Sequence, residues 1–351
     1  MTRIPTAGGR PLVWQYGPAI GTDGGMATVL DVYSRMPLRR YRFEIVPTWS
    51  PGAALWGLGP FVRALAGVVG RGRRGNRGSV VQVHLSERGS FVREGLVAAA
   101  VRALGARVVM SLHGRDLAAF ATARPRLVRR VFALADAVVA LGPTTAGVAA
   151  GYLRPGTVLA VVPNPIEVPE TVAPAGDRPE VVLFGGEVGR VKGVDVLLDA
   201  WELVRQQRPA AGLVIAGPRG DLDPVTRAGV TWAGPLPRPE LLATIESSRV
   251  AVLPSRAEVM PMFLLEAMAR ARPVVSTPVA DIPALLDGSG RLVPVGDATA
   301  LAEQITDLLA DPAAATREGA ALRDRTLRHY SPAAVAEQLE AVYDDVLGRA
   351  R

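Results

Sequence analysis

One lysine is the residue whose type and position point most directly to chemistry. Lys192 is the only lysine in the chain, because the other 39 basic residues are arginine. It follows the apolar run EVVLFG and precedes Val194, Leu197, Leu198 and Trp201, whose spacing predicts an amphipathic helix. A helix N-terminus and a compact ammonium both favour an anion. We interpret Lys192 as a phosphate ligand, the alternative being an ordinary surface lysine.

Two glutamates, Glu258 and Glu266, lie eight positions apart in PSRAEVMPMFLLEAMARARPVVST. The pattern places Glu258 in a loop and Glu266 on a helix, whose first turn accommodates Pro261. Carboxylates accept hydrogen bonds from hydroxyl groups, so the pair fits a polyhydroxyl ligand. Two alternatives stay open. They are a carboxylate pair for glycoside hydrolysis, which the phosphate interpretation of Lys192 disfavours, and a buried Glu266 paired with an arginine.

These residues need parallel sheets to position them. Runs rich in Val, Ile and Leu alternate with helical patterns, which predicts parallel strands buried on both faces. The predicted strands are LVWQY, FEIVPTW, VVQVHL, RVVMSL, AVVAL and VLAVVP, then EVVLFG, GLVIAG, VTWAG, VAVLP, PVVST and RLVPV. The fold class is therefore α/β, with two Rossmann-like doubly wound domains facing each other across a cleft.

Composition divides the chain into four segments. Residues 1–165 carry 21 arginines against 7 acidic residues, whereas residues 166–351 carry 19 basic against 26 acidic residues. A Pro-rich stretch at 166–178 has little periodicity and predicts a linker. We predict a basic domain over 1–165, a second domain over 179–330, and a C-terminal helix within 331–351 that packs back on the first domain.

Composition also limits the class of protein. The chain has no cysteine and three histidines, so a disulfide framework and a zinc or iron site are not expected. No apolar run reaches the ~20 residues that span a bilayer, and residues 1–10 lack the apolar core of a signal peptide. We expect a cytoplasmic protein with no nucleic-acid partner, since no nucleic-acid-binding module is visible.

The basic half has two arginine clusters. They are Arg71, Arg73, Arg74 and Arg77, and Arg124, Arg126, Arg129 and Arg130 with apolar residues between them. Interleaved basic and apolar residues bind anionic lipid surfaces, which predicts a peripheral location on the inner face of the cell membrane. The alternative is a solvated arginine face.

Six stretches together resemble a known family, the retaining group-one glycosyltransferases with the GT-B fold. They are GGMATVLDVYSRM, VVMSLHGRDL, AVVPNPIEV, GGEVGRVKGVDVLLDAW, EVMPMFLLEAMARARPVVST and DGSGRLVPVGDATALAEQI, and they extend over nearly the whole chain. The resemblance implies that the first domain binds the acceptor and the second binds a nucleotide sugar, linked to UDP or GDP. It implies no cofactor and no metal.

The resemblance also implies roles for single residues. His113 and Glu258 would be catalytic, with His113 near the C6 hydroxyl of the transferred sugar and Glu258 on its other hydroxyls. The donor-binding residues would be Gly24, Gly25, Arg190, Lys192, Met260, Met262 and Glu266, with Lys192 on the diphosphate and Glu266 on the ribose.

Three departures from the family pattern are visible. Glu187 stands where the family usually has arginine, and an acid repels a diphosphate, so we expect Arg190 to supply the charge or Glu187 to point away. Val259 and Pro261 replace glycines, and Pro261 has no N–H to donate. Ala280 and Asp281 stand where a glycine pair is common.

The stretch VHLSERGSFVREG is a candidate acceptor-binding segment. It carries His84, Arg88, Ser90 and Arg93, which we predict to contact an anionic or hydroxyl-rich acceptor. The alternative is a helix start with Ser90 as its cap.

The leading prediction is a metal-independent retaining transferase that moves a sugar from a nucleotide-diphospho sugar to a polysaccharide or glycolipid acceptor. One alternative is a nucleotide-sugar epimerase or hydrolase on the same fold. Another is a non-catalytic sugar-nucleotide-binding protein, which Glu187 would favour.

Overall fold

The structure is a computed structural model that describes residues 9–22, 24–52, 59–223 and 226–348. The chain divides into two compact units. The first unit comprises Met1–Pro165 together with Pro332–Arg351, and the second comprises Ile166–Ser331. The chain therefore leaves the first unit at Pro165 and returns to it for its last helix.

The first unit contains a six-stranded parallel sheet. Its strands are β1 (Leu12–Pro18), β2 (Arg42–Trp49), β3 (Val80–Leu85), β4 (Arg107–Leu112), β5 (Ala137–Ala140) and β6 (Val158–Val161). They lie in the order β2-β1-β3-β4-β5-β6. The strand order reverses between β1 and β3. The loops that follow these two strands therefore diverge to opposite faces of the sheet and leave a crevice at its carboxyl edge.

Helices connect these strands, and one further helix, which follows the second unit in sequence, completes the first unit. They are α1 (Gly25–Ser34), α2 (Gly59–Asn76), α3 (Gly89–Ala103), α4 (Leu117–Ala123), α5 (Pro125–Phe132), α6 (Pro143–Ala150) and, after the second unit, α13 (Pro332–Leu347). All six residues of β3 are buried, as expected for a central strand covered on both faces.

Helix α13 is fixed to the first unit by polar as well as apolar contacts. Val335, Leu339 and Val342 are buried on it. The Tyr41 hydroxyl donates a hydrogen bond to Asp344 (2.6 Å), and the backbone N–H of Arg40 donates to Glu340 (2.6 Å). Because both acids are buried, these bonds satisfy carboxylates that would otherwise be costly to bury.

The second unit repeats the parallel architecture. Its strands are β7 (Val181–Gly185), β8 (Gly212–Ala216), β9 (Val230–Gly234), β10 (Val250–Leu253), β11 (Val274–Ser276) and β12 (Arg291–Leu292). They lie in the order β12-β11-β10-β7-β8-β9. The helices are α7 (Val194–Gln207), α8 (Arg238–Ser247), α9 (Met262–Ala269), α10 (Ile282–Leu286), α11 (Ala298–Ala310) and α12 (Pro312–His329). Here the strand order reverses between β7 and β10.

The Pro-rich segment 166–178 packs on the second unit. Its residues Ile166 and Ala175 are fully buried, and Ala175–Asp177 form a 3₁₀ helix. The guanidinium of Arg249 donates to the carbonyl of Arg178 (2.9 Å from Nε). This segment is therefore an ordered part of the second unit.

The two parallel sheets confirm the predicted α/β class, and each of the twelve predicted strands overlaps an observed one. Helix α3 begins at Gly89 with Arg88 as its N-cap, so Ser90 lies in the first turn and is not the cap that the sequence offered as an alternative. Within the described ranges, no helix is long and apolar enough to cross a membrane.

Candidate active site

The candidate donor site lies at the carboxyl edge of the second sheet, beside the strand-order reversal. Neighbouring strands β7 and β10 are parallel, so the loops that follow them leave the sheet at the same edge. Lys192 ends a 3₁₀ helix over Arg190–Lys192 in the first loop, just before α7. Glu258 lies in the second loop, before α9.

Lys192 and Glu258 form an ion pair at this edge. The Lys192 Nζ lies 2.5 Å from Glu258 Oε1, and the Ser255 hydroxyl donates to the same oxygen at 2.8 Å. The Glu258 side chain is 6% exposed and that of Lys192 is 17% exposed. An ammonium that retains some exposed surface beside a buried carboxylate is placed to bind phosphate oxygens and sugar hydroxyls together.

Gly193 allows the two loops to approach this closely. Its backbone has φ of +74°, in the left-handed region that glycine adopts without strain. A Cβ on Gly193 would lie 1.9 Å from the carbonyl oxygen of Pro254, which precedes Ser255. Only glycine therefore fits between Lys192 and α7.

Further bonds hold the two loops together. The backbone N–H of Arg256 donates to the carbonyl of Val191 (2.8 Å), and its guanidinium forks onto Asp195 of α7 (2.8 and 2.9 Å). The Thr277 hydroxyl donates to the Ser255 carbonyl (2.5 Å), which ties the loop to the end of β11. The site is thus rigidly supported on the sheet.

Arg190 and Glu187 have exposed side chains in the loop after β7. The Arg190 guanidinium lies 3.6 Å from Asp195, and its backbone N–H donates to Asp221 (2.9 Å). The Glu187 side chain lies over Gly220, because a Cβ on that glycine would come within 2.9 Å of it. Both expected arrangements, a compensating Arg190 and a displaced Glu187, are compatible with these positions.

Glu266 has a different environment from Glu258. It lies on α9, is 4% exposed, and accepts a hydrogen bond from Arg238 at the start of α8 (2.7 Å). Burial raises the pKa of Glu266, against the opposing charges of Arg238 and Arg270. The pairing is the arginine alternative foreseen from the sequence, and it leaves the ribose contact of Glu266 as a prediction.

Helix α9 begins directly after the Glu258 loop. Met262 is its first residue, so its backbone N–H is one of the first-turn amides that lack an i−4 carbonyl. Pro261 is the N-cap, and Met260, which is 8% exposed, precedes it. Ala280, at the end of the loop after β11, has φ of +46°, a conformation that glycine adopts more readily than alanine.

In the first unit, Gly24 and Gly25 lie at the start of α1, after β1. Gly24 is the N-cap and has φ of +119°, and no heavy atom of the described residues lies within 4 Å of a Cβ placed on it. Both glycines are exposed, so their backbone is open to a ligand.

His113 follows β4 and is paired with His84 at the end of β3. The two rings are stacked with centroids 5.0 Å apart, and His113 Nε2 lies 2.9 Å from His84 Nδ1. His113 is half-buried and His84 is fully buried. Burial lowers the pKa of His113 to about 4, and burial together with His113 lowers the pKa of His84 well below its ordinary value. Both rings are therefore neutral at neutral pH.

The four residues of the predicted acceptor segment differ in exposure and do not form one continuous surface. His84 has no exposed surface, since Gln15 and His113 occupy both ring nitrogens, and this burial does not fit the acceptor contact predicted for it. Arg88 is exposed at the N-cap of α3. Ser90 and Arg93 both bond to the carboxylate of Glu94, at 3.2 and 3.0 Å.

Part of the chain is similar in sequence to known glycosyltransferases. Residues 179–311 match the model of the family described as Glycosyl transferases group 1. The matched residues make up most of the second unit, which is therefore similar to this family. In addition, the chain is 33% identical over 196 residues to D-inositol 3-phosphate glycosyltransferase 1 of Catenulispora acidiphila, which is 49% of this chain and 46% of that protein. The chain thus aligns with about half the length of this curated relative.

Two solved structures are similar to this chain in fold over both units. The sucrose-phosphate synthase of Thermosynechococcus elongatus is 18% identical with a TM-score of 0.73, over 97% of this chain and 100% of that chain. The Anabaena protein HepE in complex with UDP-glucose is 17% identical with a TM-score of 0.71, over 94% and 98%. The fold is therefore that of the GT-B glycosyltransferases.

Several residues of the site were not foreseen from the sequence. Glu94 is fully buried and receives the Thr48 hydroxyl (2.5 Å), and burial raises the pKa of Glu94. Ser255 and Arg238 each pair with one of the predicted glutamates. Glu94 carries one sequence signal, since it shares a helix face with the buried Phe91, Val97 and Ala98. Ser255 lies only three positions from Glu258, whereas the Arg238–Glu266 pair spans 28 positions and depends on a tertiary contact.

The arginine clusters of the first unit differ from the predicted membrane face. Arg71 stacks over the Trp14 ring at 4.1 Å and donates to the Tyr16 hydroxyl, so it faces the protein. On α5 the arginines are exposed, whereas Val128, Val131 and Phe132 are buried and Leu127 is half-buried. The interleaving seen in the sequence is thus the ordinary amphipathicity of a surface helix, and the exposed face of α5 is mainly charged.

Proposed function

We propose that the protein is a retaining glycosyltransferase that moves a sugar from a UDP- or GDP-linked donor to a hydroxyl-bearing glycan or lipid-linked acceptor in polysaccharide or glycolipid synthesis. The observation that carries this proposal is the Lys192–Glu258 pair at the carboxyl ends of β7 and β10. It combines one cation for a diphosphate with one carboxylate for sugar hydroxyls, at the edge where Rossmann-like sheets bind nucleotides.

Lys192 and the start of α9 would stabilise the leaving diphosphate. As the bond from the anomeric carbon to the phosphate oxygen breaks, negative charge grows on that oxygen, and an ammonium with backbone amides offsets it. The new bond forms on the same face, and the proton of the acceptor hydroxyl passes to the departing phosphate oxygen. Glu258 orients the sugar through its hydroxyl groups.

Metal independence is part of the proposal. Lys192 and the amides of α9 supply the positive charge that a divalent cation gives in other transferases. We expect turnover to persist after exhaustive treatment with EDTA.

The comparisons support the proposal at the level of reaction class. The matched family consists of glycosyl transferases, and HepE was solved with UDP-glucose. These names support a nucleotide-sugar donor, and the donor panel below distinguishes UDP from GDP and one acceptor from another.

A donor panel tests the proposal directly. The purified protein is incubated with UDP- and GDP-sugars, with and without glycan and lipid-linked acceptors, and nucleotide release is measured. Slow release that an acceptor stimulates is the expected result. Fast release without any acceptor would indicate an epimerase or hydrolase, and donor binding without release on any acceptor would indicate a non-catalytic protein.

Substitution of Lys192 gives the sharpest prediction. Lys192→Ala should lower kcat/KM for the donor about 10- to 150-fold, because a hydrogen bond to a charged group contributes about 1.5–3 kcal/mol. Lys192→Arg keeps the charge with a different shape and should retain more activity than the alanine variant. Steady-state kinetics with the donor found in the panel measures both.

Arg328→Ala is the matched control, since it removes an exposed positive charge from α12. It should leave donor kinetics unchanged. Circular dichroism establishes that every variant is folded. If a folded Lys192→Ala variant kept the donor kinetics of the original protein, the phosphate role of Lys192 would be rejected.

A further inference from the structure

A chain of polar side chains crosses the core of the first unit and ends at His113. Gln15 on β1, Gln82 and His84 on β3, and Tyr343 on α13 are each fully buried. Buried polar groups are costly unless hydrogen-bonded, and each of these four has partners inside the protein. The four residues form one connected network that runs from the C-terminal helix to the end of β4.

The direction of the hydrogen bonds is set at the glutamine end of this network. The Tyr343 hydroxyl donates to Gln82 Oε1, and Gln82 Nε2 donates to the Ser111 hydroxyl (2.6 Å). Gln15 Nε2 donates to Gln82 Oε1 (3.2 Å) and to the Tyr343 oxygen (3.3 Å). Gln15 therefore presents its carbonyl oxygen, which only accepts, to His84.

This direction passes through both imidazoles. His84 Nε2 lies 2.8 Å from Gln15 Oε1, so Nε2 carries the proton of the neutral His84 ring. His84 Nδ1 then has a lone pair and accepts from His113 Nε2 at 2.9 Å. A neutral His113 with its proton on Nε2 has a lone pair on Nδ1.

We propose that Gln15 and His84 are positioning residues that hold His113 in the Nε2–H tautomer, so that His113 offers a ligand only the hydrogen-bond-accepting Nδ1. The group that this nitrogen binds is a hydroxyl, which donates a proton. A phosphate oxygen or an ionised carboxylate has no proton to give and is repelled by the lone pair. That the hydroxyl belongs to the transferred sugar rests on the proposed function, whereas the tautomer does not.

The tautomer is measurable in the ligand-free protein. Long-range ¹H–¹⁵N correlation spectra of protein labelled with ¹⁵N-histidine distinguish a protonated from an unprotonated ring nitrogen. The chain has three histidines, and exposed His329 serves as the internal reference and is assigned by His329→Gln. At neutral pH, His84 and His113 should both show a protonated Nε2 and an unprotonated Nδ1. A protonated Nδ1 on His113, or a mixture of tautomers like that of an exposed imidazole, overturns the proposal.

Variants test whether the network enforces this state. Gln15→Leu removes the acceptor of His84 and should convert His113 to a mixture of tautomers. His84→Gln can still offer a carbonyl oxygen to His113 Nε2 and should preserve the tautomer, whereas His84→Leu should lose it. A His113 that stays wholly in the Nε2–H form in a folded His84→Leu variant contradicts the role of His84. The spectrum of the unaltered protein decides the tautomer even if a variant does not fold.

The spectroscopic result and the catalytic proposal fail separately. If the tautomer is found but no donor is turned over, the network stands and the transferase proposal falls. If sugar transfer is found with His113 in the other tautomer, the transferase proposal stands and the proposed network falls.

Discussion

At the residue scale, the paired imidazoles of His84 and His113 make the stability of the fold depend on pH. His113 is half-buried, and its Nε2 lies 2.9 Å from the neutral imidazole of His84, so a proton added to either ring lies beside another imidazole instead of a carboxylate. The consequence is a folded protein that resists protonation where an unfolded chain accepts it.

This resistance predicts an acid-dependent loss of stability. The pKa of His113 is about 4 in the folded protein against 6.5 for the ordinary group, so the unfolded chain binds more protons between these values. The free energy of unfolding should therefore fall as the pH is lowered from about 6.5 to about 4. His84 acts in the same direction. Urea unfolding at several pH values across this window measures the effect.

His113→Gln should lose less stability across the window than the original protein, because it removes one of the two groups. His329→Gln removes the exposed histidine at the end of α12 and should keep the original pH dependence. Glu94 and Glu266, whose pKa values are raised by burial, contribute with the opposite sign in all three proteins and cancel in the comparison. Equal pH dependence in the original protein and His113→Gln would contradict the prediction.

At the element scale, the loop between β7 and α7 depends on one glycine. Gly193→Ala combines a left-handed φ of +74° with a Cβ only 1.9 Å from the Pro254 carbonyl oxygen. We expect a loss of about 2 kcal/mol or more, from backbone strain and displacement of the neighbouring loop. Donor affinity should fall as well, since the shift separates Lys192 from Glu258. Thermal unfolding and donor titration measure the two effects.

Gly288→Ala is the matched control for this prediction. Gly288 has φ of +75°, nearly that of Gly193, but no heavy atom lies within 4 Å of a Cβ placed on it. It should therefore show the backbone strain alone, about 1 kcal/mol, with unchanged donor affinity. Equal losses in the two variants would mean that the approach of the two loops is not what requires Gly193.

The elements were more predictable than the pairs of side chains they bring together. Continuous runs such as VVQVHL identified every strand, because burial on both faces leaves a local apolar signal. The pair Lys192–Glu258 spans 66 positions and depends on β7 lying beside β10, which no local pattern encodes. The burial of His84 was missed for a related reason, because its partners are distant in the sequence. Its strand was recognised, but the contact of α13 with β3 through Tyr343 and Gln82 was not.

At the scale of the whole molecule, the uneven distribution of charge predicts how the protein meets a membrane. Residues 1–165 are strongly basic, and the exposed face of α5 carries Arg126, Arg129 and Arg130. Because Val128, Val131 and Phe132 of α5 are buried, attraction to an anionic surface through this helix would be mainly electrostatic. We propose that the protein binds anionic membranes in this way, at the inner face of the cell membrane.

Vesicle sedimentation tests this proposal. Binding to phosphatidylglycerol vesicles should be strong at low salt and fall steeply toward 1 M salt, where the screening length shortens from about 10 Å to about 3 Å. The triple variant Arg126→Ser, Arg129→Ser, Arg130→Ser should bind far more weakly. The control, Arg219→Ser, Arg317→Ser, Arg328→Ser, makes the same charge change at exposed arginines of the second unit and should bind normally. Salt-independent binding, or equal losses in both variants, would reject the proposal.

The return of the chain to its first unit has a consequence for how the protein is made. The second unit is a continuous segment, Ile166–Ser331, whereas the first needs helix α13 to bond to Gln82 of β3 through Tyr343 and to complete the bonds of Arg40 and Tyr41. Because α13 is translated after the second unit, part of the core of the first unit stays uncovered until then. We expect the first unit to complete its fold only after the second unit has been translated, in contrast to the usual order, in which the N-terminal domain folds first.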